Sequence, residues 1–110
     1  MSSNLGVLGQ LQPSAGILSD LYVVPSNLTV AISQLQVCNL TSNSDTWSVS
    51  IAAAGAADNA SQYLYYNLII DANDSFMAWF NFTLNGGDVI RCLSASGNIT
   101  FSVFGTAGGC

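Results

Sequence analysis

The sequence predicts an all-β protein: a single antiparallel β-sandwich or jelly roll of about seven to eight short strands, with an N-terminal arm. Apolar and polar residues alternate with a period of two through most of the chain, which is typical of strands that bury one face. No stretch sustains the helical period of about 3.6 residues. Clusters of Gly, Asn, Asp and Ser interrupt the alternating runs at intervals of about ten residues, as turns do in sandwiches.

The N-terminal residues differ from the rest, and we predict an arm over residues 1–15 followed by one β-sandwich domain over residues 16–110. Gly and Pro separate the apolar side chains of the arm, so no regular strand or helix pattern runs through it. Either the arm becomes ordered against a neighbouring protein, or it folds back along the edge of its own sandwich. In the first case the side chains that contact the partner are Leu5, Val7, Leu8 and Leu11.

Two runs at the start of the domain fit strands. The run 17–24 ends at Pro25, which lacks the N–H needed to continue a ladder. In the run 28–38 the alternation changes phase halfway along. One extra residue near Ser33-Gln34 would reconcile the two phases, so the sequence predicts a β-bulge there.

The remaining strands follow in order, with turns between them. The runs 47–53, 76–84 and 99–104 alternate clearly and each predicts a half-buried strand. The run 63–70 is almost continuously apolar, which predicts a strand covered on both faces. Residues 85–88, Asn-Gly-Gly-Asp, form the strongest hairpin signal in the chain.

The composition excludes nucleic acid and membranes as partners. The chain has six acidic residues, one basic residue and no His, and its formal net charge is −5. A phosphate backbone or an anionic lipid surface needs clustered Lys or Arg, and this sequence has none to cluster. No apolar run is long enough to span a bilayer. The N-terminus lacks the basic start and apolar stretch of a signal peptide, so we expect synthesis in a cytoplasm without export.

The same composition predicts a protein that is not an enzyme and carries neither a metal nor another cofactor. Without His or Glu, proton transfer would rest mainly on Asp, and the neighbouring Asp71 and Asp74 lie in a polar turn. Metal sites need paired Cys or His at short spacing, which the sequence lacks. A surface with so few charges loses little when water is removed from it. We therefore expect extensive contact with partner proteins.

The cysteines are odd in number. Cys38 and Cys92 each lie in a strand-like apolar run, and the pattern favours buried reduced thiols over a Cys38–Cys92 disulfide. Cys110 follows two glycines at the end of the sequence, and no role is assigned to it.

Aromatic residues supply the second candidate surface. Tyr63 and Tyr65 are predicted to share one face of their strand and to contact a partner. With Tyr66 and Trp79 they could instead form a stacking platform for sugars, and packing in the core is the third alternative.

The order of several strand ends and turns resembles a group of small structural proteins of tailed-bacteriophage virions. The resemblance is carried by Leu21-Tyr22-Val23-Val24-Pro25, Val37-Cys38-Asn39, Gln62-Tyr63-Leu64-Tyr65-Tyr66, Leu84-Asn85-Gly86-Gly87-Asp88-Val89-Ile90, Ser96-Gly97-Asn98-Ile99-Thr100-Phe101 and Phe104-Gly105. It covers about residues 16–105, and the order and spacing of the segments carry it. Members of the group look like β-sandwich proteins, some of them capsid decoration (cement) proteins and others tail or fibre components.

The resemblance implies a non-enzymatic bacteriophage virion protein, with a capsid decoration protein that stabilises the assembled head as the leading hypothesis. Its partners would be the major capsid protein and other copies of itself, as a homotrimer on the outer surface of the capsid. The alternative is a tail or fibre component that binds host-surface glycans through its aromatic side chains.

Overall fold

The computed structural model describes the backbone of residues 5–109 and the side chains of residues 6–106. Residues 5–109 form eight strands and two single turns of 3-10 helix between β4 and β5, Ala53–Gly55 and Ala60–Gln62. The strands are β1 Leu5–Leu11, β2 Ser19–Val23, β3 Leu28–Asn39, β4 Asp45–Ala52, β5 Tyr63–Ile70, β6 Ser75–Asn85, β7 Val89–Ser94 and β8 Ile99–Gly109. Among these residues, no helix is long and apolar enough to cross a membrane.

The strands form two four-stranded sheets that pack face to face. Sheet A has the order β1-β8-β3-β6 and sheet B the order β2-β7-β4-β5, and the paired strands in both are antiparallel. Consecutive strands pass from one sheet to the other except between β4 and β5, which is the double Greek-key arrangement of a jelly roll. The predicted fold class is confirmed.

The N-terminal segment lies along its own sandwich. Strand β1 pairs with β8 from Leu5 opposite Thr106 to Leu11 opposite Phe101, so residues 5–11 form an outer strand of sheet A. This is the second of the two alternatives for the arm, and the sandwich includes residues that the sequence assigns to the arm. Pairing with β8 satisfies the backbone N–H and C=O groups of this segment, although its Gly-interrupted sequence shows no regular strand pattern. The side chain of Leu5 and all of Cys110 lie outside the described residues.

The core is centred on Trp47, which lies on the inner face of β4 with about 1% of its surface exposed. Its ring centroid is 5.2 Å from that of Tyr65, 5.2 Å from that of Phe76 and 6.1 Å from that of Phe101. Phe76 and Phe101 belong to sheet A, so these aromatic contacts join the two sheets. Buried aliphatic side chains surround them: Leu21, Val24, Val30, Ile32, Leu35, Val37, Val49, Ile70, Leu84, Ile90, Ile99 and Val103.

The predicted bulge in β3 is confirmed at Ser33. The register of β3 with both neighbours shifts between Ile32 and Gln34, and both Ile32 and Leu35 are buried. The hydroxyl of Ser33 donates to the carbonyl of Phe104 at 3.2 Å. The extra residue lets both halves of this long strand face the core.

The prediction that the run 63–70 is covered on both faces is wrong for this chain alone. Strand β5 is the outer strand of sheet B, and residues 66–69 are all exposed. A continuously apolar strand is buried on both faces only when other elements cover both faces of its sheet. In this chain sheet A covers the inner face of β5, and residues 66–69 remain exposed.

The two thiols face different surroundings. Cys92 is fully buried on the inner face of β7, whereas Cys38 alternates with buried Val37 and Asn39 and therefore faces outward from β3. Both are free, and their opposite orientation leaves no geometry for a disulfide between them. Burial, and to a smaller extent the charge of Asp20, raises the pKa of Cys92 from 9.0 to about 12.

Close packing of β8 on β3 predicts that Gly105→Ala is destabilising. A Cβ at Gly105 would overlap the carbonyl oxygen of Ala31, whereas one at Gly6, its register partner in β1, would meet nothing within 4 Å. We expect Gly105→Ala to lower the free energy of unfolding by about 1–3 kcal/mol, measured by urea denaturation. Gly6→Ala is the matched control and should change it little. Equal effects of the two substitutions would contradict this packing.

The thiols should also differ in reactivity. We expect iodoacetamide to modify Cys92 of the folded protein at least about tenfold more slowly than Cys38, since burial blocks access and keeps the thiol protonated. Peptide mapping by mass spectrometry over time measures both rates, and denatured protein is the control in which the difference should vanish. Rapid modification of Cys92 in the native protein would show that its surroundings are open.

Candidate interaction surfaces on the outer strands

Exposed apolar side chains concentrate on β5 and β6, the outer strands at one side of the sandwich. Tyr65 of β5 lies 5.4 Å from Phe76 of β6, ring centroid to ring centroid, so the two strands are adjacent although they belong to different sheets. We give the name β5–β6 edge to the exposed large apolar side chains on these strands that carry no hydroxyl group: Leu64, Leu68, Ile69, Met77 and Trp79. Ile69 and Trp79 are the most exposed of the five, at 71% and 75%.

The β5–β6 edge is free of charge. Strands β5 and β6 contain no Asp or Arg, and the acidic residues Asp71 and Asp74 lie in the turn between them. Outer strands of soluble proteins commonly carry Lys or other charged residues that prevent association with another sheet. Among the described residues no strand pairs with the free side of either β5 or β6. This edge therefore has the composition of a surface that is covered in an assembly.

Behind the edge, the sandwich is only partly closed. The rings of Phe80 and Phe82 are 5.0 Å apart, and Phe80 lies 6.4 Å from Tyr65, yet all three side chains remain partly accessible. They pack against the buried core from this side. A covering partner would complete their burial.

Two irregularities shape β5. Between Trp47 and Val49 of β4 the pairing on β5 advances from Leu68 to Tyr65, one residue more than a regular ladder allows. Asn67 within this bulge has a φ of 50°, and its N–H donates to the hydroxyl of buried Ser48 at 2.9 Å. A second register shift lies between Tyr65 and Tyr63. Bulges on an outer strand bend it and aim particular side chains outward.

The bulges overturn the prediction that Tyr63 and Tyr65 share a face. Tyr65 is paired with inward-facing Val49 and packs on Trp47, whereas Tyr63 is paired with Ser50 and contacts Tyr66 on the outer face of sheet B. Trp79, the other member of the predicted sugar platform, lies on sheet A. The structure therefore brings only Tyr63 and Tyr66 together.

Tyr63 and Tyr66 line an open cleft of about 470 Å³ together with Asp58 and Ala60. The two rings meet edge to face, with centroids 5.1 Å apart and planes at 81°. The hydroxyl of Tyr63 donates to Oδ2 of Asp58 at 3.2 Å. Partial burial raises the pKa of Tyr63, and the hydrogen bond to Asp58 raises it further.

The only basic residue of the sequence anchors the loop that forms this cleft. Arg91 of β7 donates through Nη1 to the carbonyl of Ala56 at 2.8 Å and through Nη2 to that of Gly55 at 3.4 Å. Its Nε lies 3.3 Å from Oδ1 of Asp20. Asp88 accepts from the N–H of Ala54 at 2.8 Å, so side chains from β7 and from the turn before it hold the loop. No local pattern around Arg91 predicts these contacts, although its being the only cationic side chain of the sequence was a usable signal.

The predicted arm contacts divide by exposure. Val7 is exposed, while Leu8 and Leu11 are partly buried against the core of their own sandwich. Leu11 also lines a second cleft, of about 400 Å³, with Gln10, Gln12, Thr100, Phe101 and Ser102. Among residues 5–109 no three of His, Cys, Asp or Glu come together as metal ligands would.

No protein-family model and no curated protein matches the sequence significantly. The structure is similar to a chain in the structure of infectious bursal disease virus strain Gx, with a TM-score of 0.54 and 11% identity over 96% of this chain and 32% of that chain. Two crystal structures of a pentameric capsid protein from metagenomic phage sequences align with a TM-score of 0.41 and 15% identity over 94% of this chain and 61% of that protein. This chain thus spans about a third of the virus chain and less than two thirds of the phage protein. The similarity to the virus chain concerns the fold alone, and the strand order shows that this fold is a jelly roll.

Proposed function

We propose that this chain is a non-enzymatic structural protein of a virus particle, and that it acts by burying the β5–β6 edge against neighbouring protein subunits. The observation that carries the proposal is an uncharged, strongly exposed apolar edge on a jelly roll. Burial of apolar surface in an interface stabilises a complex by about 25 cal/mol for each Å² removed from water. Covering them here requires almost no charge desolvation, which would otherwise oppose the gain.

The finer proposal is a capsid decoration protein on the outer surface of a bacteriophage head. The resemblance of the strand ends and turns to small phage virion proteins supports this assignment. The partners would be the major capsid protein and other copies of this chain, arranged as a homotrimer. The capsid surface that this protein would cover exists only on the assembled shell. Binding to that surface would therefore stabilise the shell by mass action. A specific contact of this kind buries about 800 Å² on each partner, and many copies act together.

The first test is the copy number of the protein in purified particles, relative to the major shell protein, by quantitative mass spectrometry. We expect a simple fraction of the shell copy number, because a lattice offers repeated sites. A handful of copies per particle would contradict the decoration role and favour a tail or fibre position. Absence from particles would contradict the virion role.

A charge placed in the β5–β6 edge should block assembly without unfolding the chain. We expect Ile69→Asp to weaken binding to particles by at least about thirtyfold, since an unpaired buried carboxylate costs about 2 kcal/mol or more in an interface. Co-sedimentation with particles lacking the protein measures this. The matched control is Ile17→Asp, which places the same charge at a residue 56% exposed and outside the edge. Equal binding of the two variants would show that the β5–β6 edge is not the interface.

A further inference from the structure

Beyond a role in the particle, we propose that the cleft formed by Asp58, Ala60, Tyr63 and Tyr66 is a binding site for a neutral sugar residue. The cleft lies on the outer face of sheet B at the start of β5. Ile69 is three residues beyond Tyr66, on the other side of the bulge at Asn67. Substitution of Ile69 therefore probes the β5–β6 edge without removing either ring of the cleft.

The aromatic rings supply the apolar half of the site. A pyranose has one face lined by C–H groups, and these pack favourably on the electron-rich face of an aromatic ring. Tyr66 is 67% exposed, so its ring is accessible to a ligand in the cleft. Because the plane of Tyr63 stands at 81° to that of Tyr66, the two rings form a corner that can hold the face and one side of a sugar.

The carboxylate supplies the polar half. Oδ2 of Asp58 accepts a hydrogen bond from the Tyr63 hydroxyl, and among the described side chains no other hydrogen bond to this carboxylate is present. An ionised carboxylate can accept from a sugar hydroxyl, and such charge-assisted bonds are about twice as strong as neutral ones. Stacking on a tyrosine ring fixes the plane of the sugar. The hydrogen bond from a sugar hydroxyl to Asp58 fixes the rotation of the sugar within that plane.

The loop that carries Asp58 is held in place before any ligand arrives. Arg91 holds its first half through the carbonyls of Gly55 and Ala56. In its second half, the Asn59 side chain accepts from the N–H of Ser61 at 3.0 Å, and the Gln62 amide donates to the carbonyl of Ala57 at 2.9 Å. Because the loop is already ordered, ligand binding loses little conformational entropy, and weak individual contacts can still produce measurable affinity.

The charges in and below the cleft favour a neutral sugar over an ion. Asp58 repels carboxylate or phosphate groups, and each guanidinium nitrogen of Arg91 already has a partner in Asp20, Gly55 or Ala56. An organic cation would be drawn to Asp58, but it is best bound by rings that enclose it. Here the rings meet edge to face in an open cleft, with a guanidinium beneath the same loop.

Titration of the ¹⁵N-labelled full chain, followed by two-dimensional NMR, tests the proposal. The probes are glucose, galactose and N-acetylglucosamine, with N-acetylneuraminic acid and choline as charged comparisons. We expect saturable shifts of amides in residues 57–67 with at least one neutral sugar, and a dissociation constant on the order of millimolar for a ligand of this size. No saturable shift with any of the three neutral sugars, or tighter binding of either charged probe, would overturn the proposal.

Variants identify the site. Tyr66→Ala removes an exposed ring and should weaken sugar binding about tenfold or more while leaving the spectrum of the core unchanged. Asp58→Asn keeps the shape of the side chain and should also weaken binding. Trp79→Ala removes an even more exposed ring from the other sheet and is the matched control, with binding expected to be unchanged. Loss of binding in Trp79→Ala, or its retention in Tyr66→Ala, would place any sugar site elsewhere.

Discussion

The packing of Trp47 between the two sheets is the interaction on which the rest of the structure depends. Its ring lies on sheet B and contacts Phe76 and Phe101 of sheet A. Because Phe76 is at the start of β6, this contact sets the position of β6 opposite β5. The adjacent outer strands, and the apolar edge that they share, follow from the placement of one buried indole. The ring contacts that hold the indole in place are those with Tyr65, Phe76 and Phe101.

Electrostatics has a local role in this chain rather than a global one. Three of the six aspartates accept from a nearby backbone N–H at a turn or strand end: Asp45 from Thr46 at 2.8 Å, Asp74 from Ser75 at 2.8 Å and Asp88 from Asn85 at 2.9 Å. The single Arg is used to fasten one loop. These charged side chains act mainly on local backbone geometry, and among the strands only β2, β4 and β7 contain a charged residue. Such a molecule has little charge to repel a neighbour at short range.

The sequence predicted what depends on local patterns. The inward phase of β4, the turn at residues 85–88 and the bulge at Ser33 were all readable because alternation and turn chemistry act over a few residues. The bulges of β5 were not, since they appear only in its register with β4. Likewise, the cleft depends on contacts between Arg91 and a loop about 35 positions away in the sequence. For the same reason Tyr63 and Tyr65 look equivalent in the sequence and face opposite sides in the structure.

The position of Arg91 also determines how readily trypsin can cleave the folded chain. With one Arg and no Lys, the sequence offers trypsin a single peptide bond, the one between Arg91 and Cys92. Strand β7 holds that bond in the middle of sheet B, with Arg91 paired to Asp20 of β2 on one side and to Ser50 of β4 on the other. A protease must bind its substrate as an extended, unpaired segment, so cleavage requires both ladders to open. The folded chain is therefore protected against proteases that cleave after Lys or Arg, because its one such residue lies in a strand that is paired on both sides.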